Sequence, residues 1–417
     1  MSYRSKVTVL LLLLVFSTTL CAQENIPSPL NIETATKLFL ERNLALISAR
    51  YQIDMAEADA ITARLLPNPV FSLGTIALTA NNPVTKKDPD PRELDFNFSQ
   101  LIETAGKRKH RKAAAGWGRE ISKVSFEDAL RNQLFNFRKA FYQVVAAQAA
   151  VDLANEILRS YEDLSELNKT RYEAGEIAEE ELIKVRLERN RFETEVEQGL
   201  LDLKTAKNTL LSLLRYTDFE QPVDIEERLS FTDISLSLDK VREVAMTYRP
   251  DLKAAQMRIK RSEELVDGAK ALRYPDLTAG ATYQQIPDYT HDNTFGVNLG
   301  LPLPIFNRNQ GGIMRAETEL EKAKTDNQLL IVNIVTEIEN AFRTYKTKRE
   351  LVKSYGTIMG QAEKALDIAV YKYRQGASSL LELLEAQRTY YRIKGDYNKA
   401  LLDYQLSLEQ IKLVTGH

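Results

Sequence analysis

The sequence predicts a mainly α chain with a small β part: long antiparallel α-helical hairpins plus four transmembrane-length β-strands. Three observations lead there. Proline is absent from Arg92 to Gln221 and again from Ile305 to His417. Proline costs about 3 kcal/mol inside a helix, so runs of this kind permit very long helices. Four other segments alternate apolar and polar residues with period two, the signature of strands with one wet and one dry face. The chain is also written twice. Ala63-Arg-Leu-Leu-Pro67 returns as Ala271-Leu-Arg-Tyr-Pro275, and Tyr172-Glu-Ala-Gly175 as Tyr373-Arg-Gln-Gly376, roughly 200 residues later.

Composition narrows the class. A chain of 417 residues exceeds the usual single hydrophobic core. Lys+Arg 56 against Asp+Glu 58 gives a net charge of −2 and no electrostatic reason to expect nucleic acid. One Cys and 3 His rule out a disulfide framework or a Cys/His zinc site. His110, His291 and His417 are far apart, the methionines do not cluster, and no phosphate loop, nucleophile elbow or metalloprotease motif occurs. The expectation is no enzyme, no resident metal and no cofactor.

Residues 1–22 read as a signal peptide: Arg4 and Lys6, an apolar run from Val7 to Phe16, then small residues to Ala22. Cleavage after Ala22 removes Cys21. Lipidation of Cys21 is the alternative, against which Leu20 stands where such signals carry a small residue. No later run reaches ~18 apolar residues, so no spanning helix is expected. The first repeat is placed at 23–215, a linker holding Pro222 at 216–237, and the second repeat at 238–417.

Within each repeat the strands come as a hairpin. Leu94, Phe96 and Phe98 alternate with Asp95, Asn97 and Ser99. Leu277, Ala279, Ala281 and Tyr283 alternate with Thr278, Gly280, Thr282 and Gln284, and Phe295, Val297, Leu299 and Leu301 with Gly296, Asn298 and Gly300. The segment 70–79 is a less regular fourth. Their length suits an oblique bilayer crossing. No further short helices are expected to cover such a sheet. Only closed barrels satisfy strand hydrogen bonds in lipid, and four strands do not close one. Several chains must then contribute, and three would supply twelve strands, within the range of known barrels.

The helices follow. Lys107 to Tyr172, if one helix, is roughly 100 Å long at ~1.5 Å per residue. Ala362, Ala365, Leu366, Ala369, Val370 and Tyr373 step by three and four. So do Leu383, Gln387, Tyr390, Lys394, Tyr397, Leu401, Tyr404, Leu408 and Ile411, with polar breaks at Gln387 and Lys394. Gly175 and Gly376 are expected to end helices in a left-handed conformation and turn the hairpins. Glu382 and Glu385 share one helix face just beyond Gly376. An exposed Glu pair is ordinarily a solvated face. The run Lys107-Arg-Lys-His-Arg-Lys112 is either a solvated helix start or a contact with lipid headgroups.

The signal, the strand hairpins set between long helices and the duplication together resemble the TolC family of outer-membrane efflux channels. Leu66-Pro-Asn-Pro69, Glu103-Thr-Ala-Gly-Lys-Arg-Lys109 and Leu301-Pro-Leu-Pro-Ile-Phe-Asn-Arg-Asn-Gln-Gly311 are similar to the heavy-metal (CzcC-type) branch. The resemblance implies a homotrimer with a twelve-strand barrel in outer-membrane lipid and a twelve-helix periplasmic barrel. It implies two partners, a periplasmic adaptor and an inner-membrane RND transporter. The chain would be the passive exit duct, for heavy-metal cations or alternatively for drugs or type I secreted proteins. It gives Glu382 and Glu385 the place of acidic rings at the periplasmic mouth. Tyr373 and Glu181 take that of a gate latch, and Gly175 and Gly376 that of tip turns meeting the adaptor. Ser378 stands where the family prototype has a basic residue. A rival outside the family is a secreted structural coiled-coil protein without a pore.

Overall fold

In the computed structural model, residues 28–77, 92–285 and 293–416 are described. The signal segment, residues 78–91, residues 286–292 and His417 lie outside them. The first half of the chain runs α1 (Ile32–Arg42), α2 (Leu44–Arg64), β1 (Val70–Ala77), β2 (Arg92–Ile102), α3 (Lys107–Glu173) and α4 (Glu179–Leu213). The second repeats the order: α5 (Leu238–Tyr248), α6 (Pro250–Ala271), β3 (Leu277–Gln285), β4 (Asn293–Gly300), α7 (Gln310–Arg374) and α8 (Leu380–Thr415).

The long helices pair as expected, α3 with α4 and α7 with α8. α3 and α7, at 67 and 65 residues, run from the sheet to the far tip. The shorter helices lie beside them in two tiers. α2 and α6 flank α3 near the sheet, and α4 and α8 flank it towards the tip. The tiers meet at two polar junctions in equivalent places. Asn43 caps α2 by accepting from Leu46 N at 3.1 Å, and its amide donates to Leu213 O at the end of α4 at 3.1 Å. Arg249, between α5 and α6, donates to Val414 O at the end of α8 at 3.5 Å and pairs with Asp251 at 2.6 Å and Glu337 at 2.8 Å. Both side chains are buried. Each satisfies carbonyls that a helix end leaves without partners. Two short helices are thus continued by two others.

α1 and α5 are short helices that the sequence reading did not place. They pack at this mid-level rather than on the sheet. Phe39 of α1 stacks on Phe137 with ring centroids 4.5 Å apart, in a core with Phe141, Val144, Leu210 and Leu214. Val241 and Ala245 of α5 join Ile334, Ile338, Tyr345 and Tyr404 in a second core. There the irregular segment 216–237 is fastened by its carbonyls. Tyr404 donates to Thr232 O at 2.8 Å, and Tyr345 donates to Ile234 O. A third core, nearer the tip, is shared by both hairpins and holds Tyr161, Phe192, Tyr373, Leu380 and Leu383.

The sheet has the order β1-β2-β3-β4, antiparallel throughout. Its register sorts residues into two faces. One carries the rows Leu73–Phe96–Tyr283–Phe295 and Phe71–Phe98–Ala281–Val297. The other carries Ser72–Asn97–Thr282–Gly296, with Asn298 in the next row. On this polar face the Asn97 amide donates to Ser72 Oγ at 3.4 Å. Asn97 Oδ1 accepts from Thr282 Oγ1 and from Asn298 Nδ2, both at 3.4 Å. Gly280 makes that reach possible, since a Cβ there would stand 2.0 Å from Asn298 Oδ1. The apolar face is uncovered: Phe295 is 82% exposed, Val297 84% and Leu299 70%.

Ile338 is fully buried in the second core. Ile338→Ala is expected to lower unfolding free energy by about 2–5 kcal/mol, through lost burial and the cavity left behind. Chemical denaturation followed by helical circular dichroism measures this. A loss below about 0.5 kcal/mol would mean the site behaves as surface.

Candidate functional site

The end of the molecule opposite the sheet holds most of the residues singled out from sequence. α3 and α7 stop in the same way. Gly175 and Gly376 have φ of +78° and +69°, and nothing lies within 4 Å of where a Cβ would be. Backbone conformation, not space, therefore selects glycine. Gly175 N donates to Tyr172 O at 2.9 Å and Glu176 N to Arg171 O at 2.8 Å. Gly376 N and Ala377 N repeat the pattern to Tyr373 O and Lys372 O, at 3.0 and 2.8 Å. The paired bonds close the last helical turn before the chain reverses.

α4 then opens with Glu179, Glu180 and Glu181, anions where the helix dipole favours them. α8 opens on Ser379, whose hydroxyl accepts from Glu382 N at 3.3 Å. Glu382 and Glu385 are both exposed, one turn apart, directly beyond the reversal. Arg388 lies one turn further and forms an ion pair with Glu188 of α4. Its charge is held chiefly by the Glu188 hydrogen bond and field, with Glu385 adding to the field.

Tyr373 is 3% exposed. Its hydroxyl donates to Asn168 Oδ1 at 2.6 Å, and Asn168 is fully buried. Burial raises the phenol's pKa, the Asn168 bond opposes that, and the field of Glu181 adds to the rise. Within the protomer the acceptor of the Tyr373 hydroxyl is therefore Asn168. The reason is register. The last turns of α3 and α7 meet at the tip, where Asn168 and Arg171 of α3 reach Tyr373 of α7, whereas Glu181 belongs to the returning helix. Glu181 lines a groove between α4 and α8 with Lys184, Glu188, Leu380 and Arg388. Arg171 completes the cluster. Its guanidinium donates to Tyr373 O at 3.2 Å and Arg374 O at 3.0 Å, and sits 5.0 Å from the Tyr373 ring centroid. It thus ties α3 to the carbonyl end of α7, where the dipole favours a cation. Ser378 Oγ is buried with no hydrogen-bond partner among the described residues.

Sequence reasoning missed Asn168 and Arg171. A signal for Asn168 was present. Ile157, Tyr161, Leu164 and Asn168 step by four, three and four, which places a polar side chain on a core seam. The polar breaks at Gln387 and Lys394 are cross-links of the same kind. Gln387 donates to Ser160 Oγ at 3.1 Å, and Lys394 to Glu156 Oε1 at 2.6 Å. Tyr161, beneath them, has its pKa pushed up to about 12, first by burial and then by the field of Glu188.

At the sheet end, the basic run is largely absorbed by the fold. Arg108 donates to Arg64 O at 2.6 Å. Arg111 donates to Ala63 O and Leu65 O at 3.2 and 3.1 Å and pairs with Glu103. Both thereby cap the last carbonyls of α2. Lys107 pairs with Asp276 at 2.7 Å and His110 meets Glu264 at 2.9 Å. Lys109 and Lys112 are exposed. Among the described residues no three His, Cys, Asp or Glu side chains converge as a metal site would require. No helix there is long and apolar enough to cross a membrane.

A membrane-length sheet with one dry face, joined to helical hairpins far longer than any compact domain, defines the class: an outer-membrane duct extended into the periplasm. Comparison with known proteins agrees. The model of the outer membrane efflux protein family matches residues 35–214 and 241–417, and the chain belongs to that family. The cobalt-zinc-cadmium resistance protein CzcC of Cupriavidus metallidurans is 25% identical over 372 residues, covering 88% of this chain and 86% of its own. A crystal structure of a membrane protein from Pseudomonas aeruginosa superposes with a TM-score of 0.79 at 19% identity, over 92% of this chain and 89% of the other. A crystal structure of CusC does so with 0.77 at 18%, over 92% and 91%. The chain is an outer-membrane efflux channel whose helical part stands in the periplasm, a duct and not an enzyme.

Tyr373→Phe removes the donor that satisfies Asn168 Oδ1 and leaves a buried amide oxygen bare, a loss of about 1–3 kcal/mol. Amide hydrogen exchange across the last two turns of α3 and α7 is expected to speed by roughly ten-fold or more. Unchanged protection would show that Arg171 alone holds the two helix ends.

Proposed function

We propose that three copies of this chain form one continuous exit duct for metal cations. The observation that carries the proposal is the sheet: four strands, two unpaired edges and one apolar face that the protomer leaves bare. Hydrocarbon is the medium that such a face fits, and in hydrocarbon an unpaired edge is costly. Pairing β4 of one copy with β1 of the next satisfies both, and three copies close the ring. The paired hairpins then assemble into the periplasmic helical barrel.

In that barrel the tips form the periplasmic mouth. Glu382 and Glu385 stand there as two stacked rings of carboxylates. Two unit charges ~6 Å apart interact by about 0.7 kcal/mol in water, and by more in a confined mouth. The rings draw cations in and turn anions away. Tyr373, pinned by Asn168 and Arg171, and Glu181 in the facing groove would hold the mouth closed. The Gly175 and Gly376 turns would meet a periplasmic adaptor, which couples the duct to an inner-membrane RND transporter. That transporter does the energised work. The likeness to a cobalt-zinc-cadmium resistance protein supports heavy-metal cations as cargo. Drug efflux or type I secretion would use the same duct.

Glu382→Gln combined with Glu385→Gln is expected to lower the cation-to-anion permeability ratio at least about three-fold in single-channel recordings, with the trimer intact. An unchanged ratio would remove both residues from the conducting mouth.

A further inference from the structure

The polar face of the sheet carries a second feature that the mouth rings do not explain. Strand parity puts Gly74, Asp95, Gln284 and Thr294 in one row, on the same face as the Ser72–Asn97–Thr282 layer. Asp95 is half-buried in the sheet. Its β1 neighbour is a glycine, with only 3.6 Å between the Asp95 Cβ and where a Gly74 Cβ would be. No side chain on β1 therefore stands between the carboxylate and the space beyond. Among the described residues, no Lys, Arg or His forms an ion pair with Asp95. This contrasts with Asp276 at the foot of β3, which Lys107 neutralises at 2.7 Å.

Position along the strand matters as much as face. All four helix–strand junctions lie at one end of the sheet, since α2 leads into β1, β2 into α3, α6 into β3 and β4 into α7. Asp95 lies near the opposite end. From Ile102, at the helical end of β2, it is seven residues away, roughly 23 Å at about 3.3 Å per residue. The apolar face must turn to hydrocarbon, so the row with Asp95 must turn to the lumen, towards its external opening.

We propose that Asp95 is a specificity-determining residue that makes the external half of the β-barrel a second, wide cation filter, independent of the periplasmic mouth. The inference rests on the trimeric duct reading. Three copies place three carboxylates, with no ion-pair partner among the described residues, around the lumen at one level. A twelve-strand lumen is broad, so these charges are farther apart than a Debye length of ~10 Å at 0.1 M salt and act almost singly there. At ~0.01 M the Debye length grows to ~30 Å and their fields merge across the opening. The filter therefore has its own signature. It biases ion passage strongly in dilute salt and fades as salt rises, whereas rings crowded into a narrow mouth keep more of their effect.

The test is reversal potential in planar bilayers across a salt gradient, using potassium chloride and the full trimer. With Asp95→Asn the cation-to-anion permeability ratio is expected to fall about two-fold or more near ~0.01 M and to match the wild type near ~1 M. Asp95→Glu is expected to keep the wild-type ratio. Thr294→Lys, which adds a cation to the same row, supplies a second route and should lower the ratio likewise, even where Asp95→Asn assembles poorly. A wild-type ratio in dilute salt for both Asp95→Asn and Thr294→Lys, in channels that still conduct, overturns the filter and leaves the duct standing. Absence of stepwise conductance from the wild-type protein overturns both.

Discussion

Backbone hydrogen bonding in a medium without water is the constraint on which the rest of the structure depends. Four strands pair internally in the order β1-β2-β3-β4 and leave two edges open. Over the middle of the sheet their side chains sort by parity into a face of Phe, Leu, Val and Tyr and a polar face with Ser72, Asn97, Thr282 and Asn298. In water the first face would be a large exposed apolar patch, and the edges a template for aggregation. In a bilayer both become requirements for assembly. The polar face answers the complementary need. The Asn97-centred ladder gives side chains partners on the side that water reaches.

Beyond the sheet, the problem is length. α3 has 67 residues, and the only helix of similar length, the 65-residue α7, is not one of its main neighbours, so its stripe is buried against the shorter α2, α4, α6 and α8. The chain solves this by placing shorter helices in series and sealing each joint with a buried polar residue, Asn43 in one repeat and Arg249 in the other. The charged joint is the more elaborate. Arg131, itself buried, bonds Leu413 O at 2.9 Å and Asp128 at 2.5 Å, and approaches Asp251 at 3.5 Å. Every charge there has a counter-charge, as burial demands. The tip is held differently, by Asn168, Tyr373 and Arg171, a few directional contacts at the ends of long levers. Local contacts of that kind can be exchanged for others without melting the cores above them.

What could be read from sequence follows from the range of the interactions. Proline spacing fixed where α3 and α7 could run, and period-two alternation marked β2, β3 and β4, because both signals are local. The left-handed turns at Gly175 and Gly376 were legible for the same reason. The acceptor of Tyr373 was not, since it depends on the register between two helices 200 residues apart in the chain. α1 and α5 were missed because 11-residue helices carry too few turns to stand out. The basic run at 107–112 read as a surface feature. Its role as a cap for α2 needs the knowledge that α2 ends beside it.

The most direct measurement concerns which way the sheet faces. Single cysteines at Val297 and at Asn298, in a background without Cys21, can carry an environment-sensitive fluorophore in trimers reconstituted into lipid. The account predicts that the label at Val297 is quenched by brominated acyl chains and spared by aqueous iodide, and that the label one residue on shows the reverse. Iodide quenching at Val297 together with lipid quenching at Asn298, or equal water access at both, would contradict it.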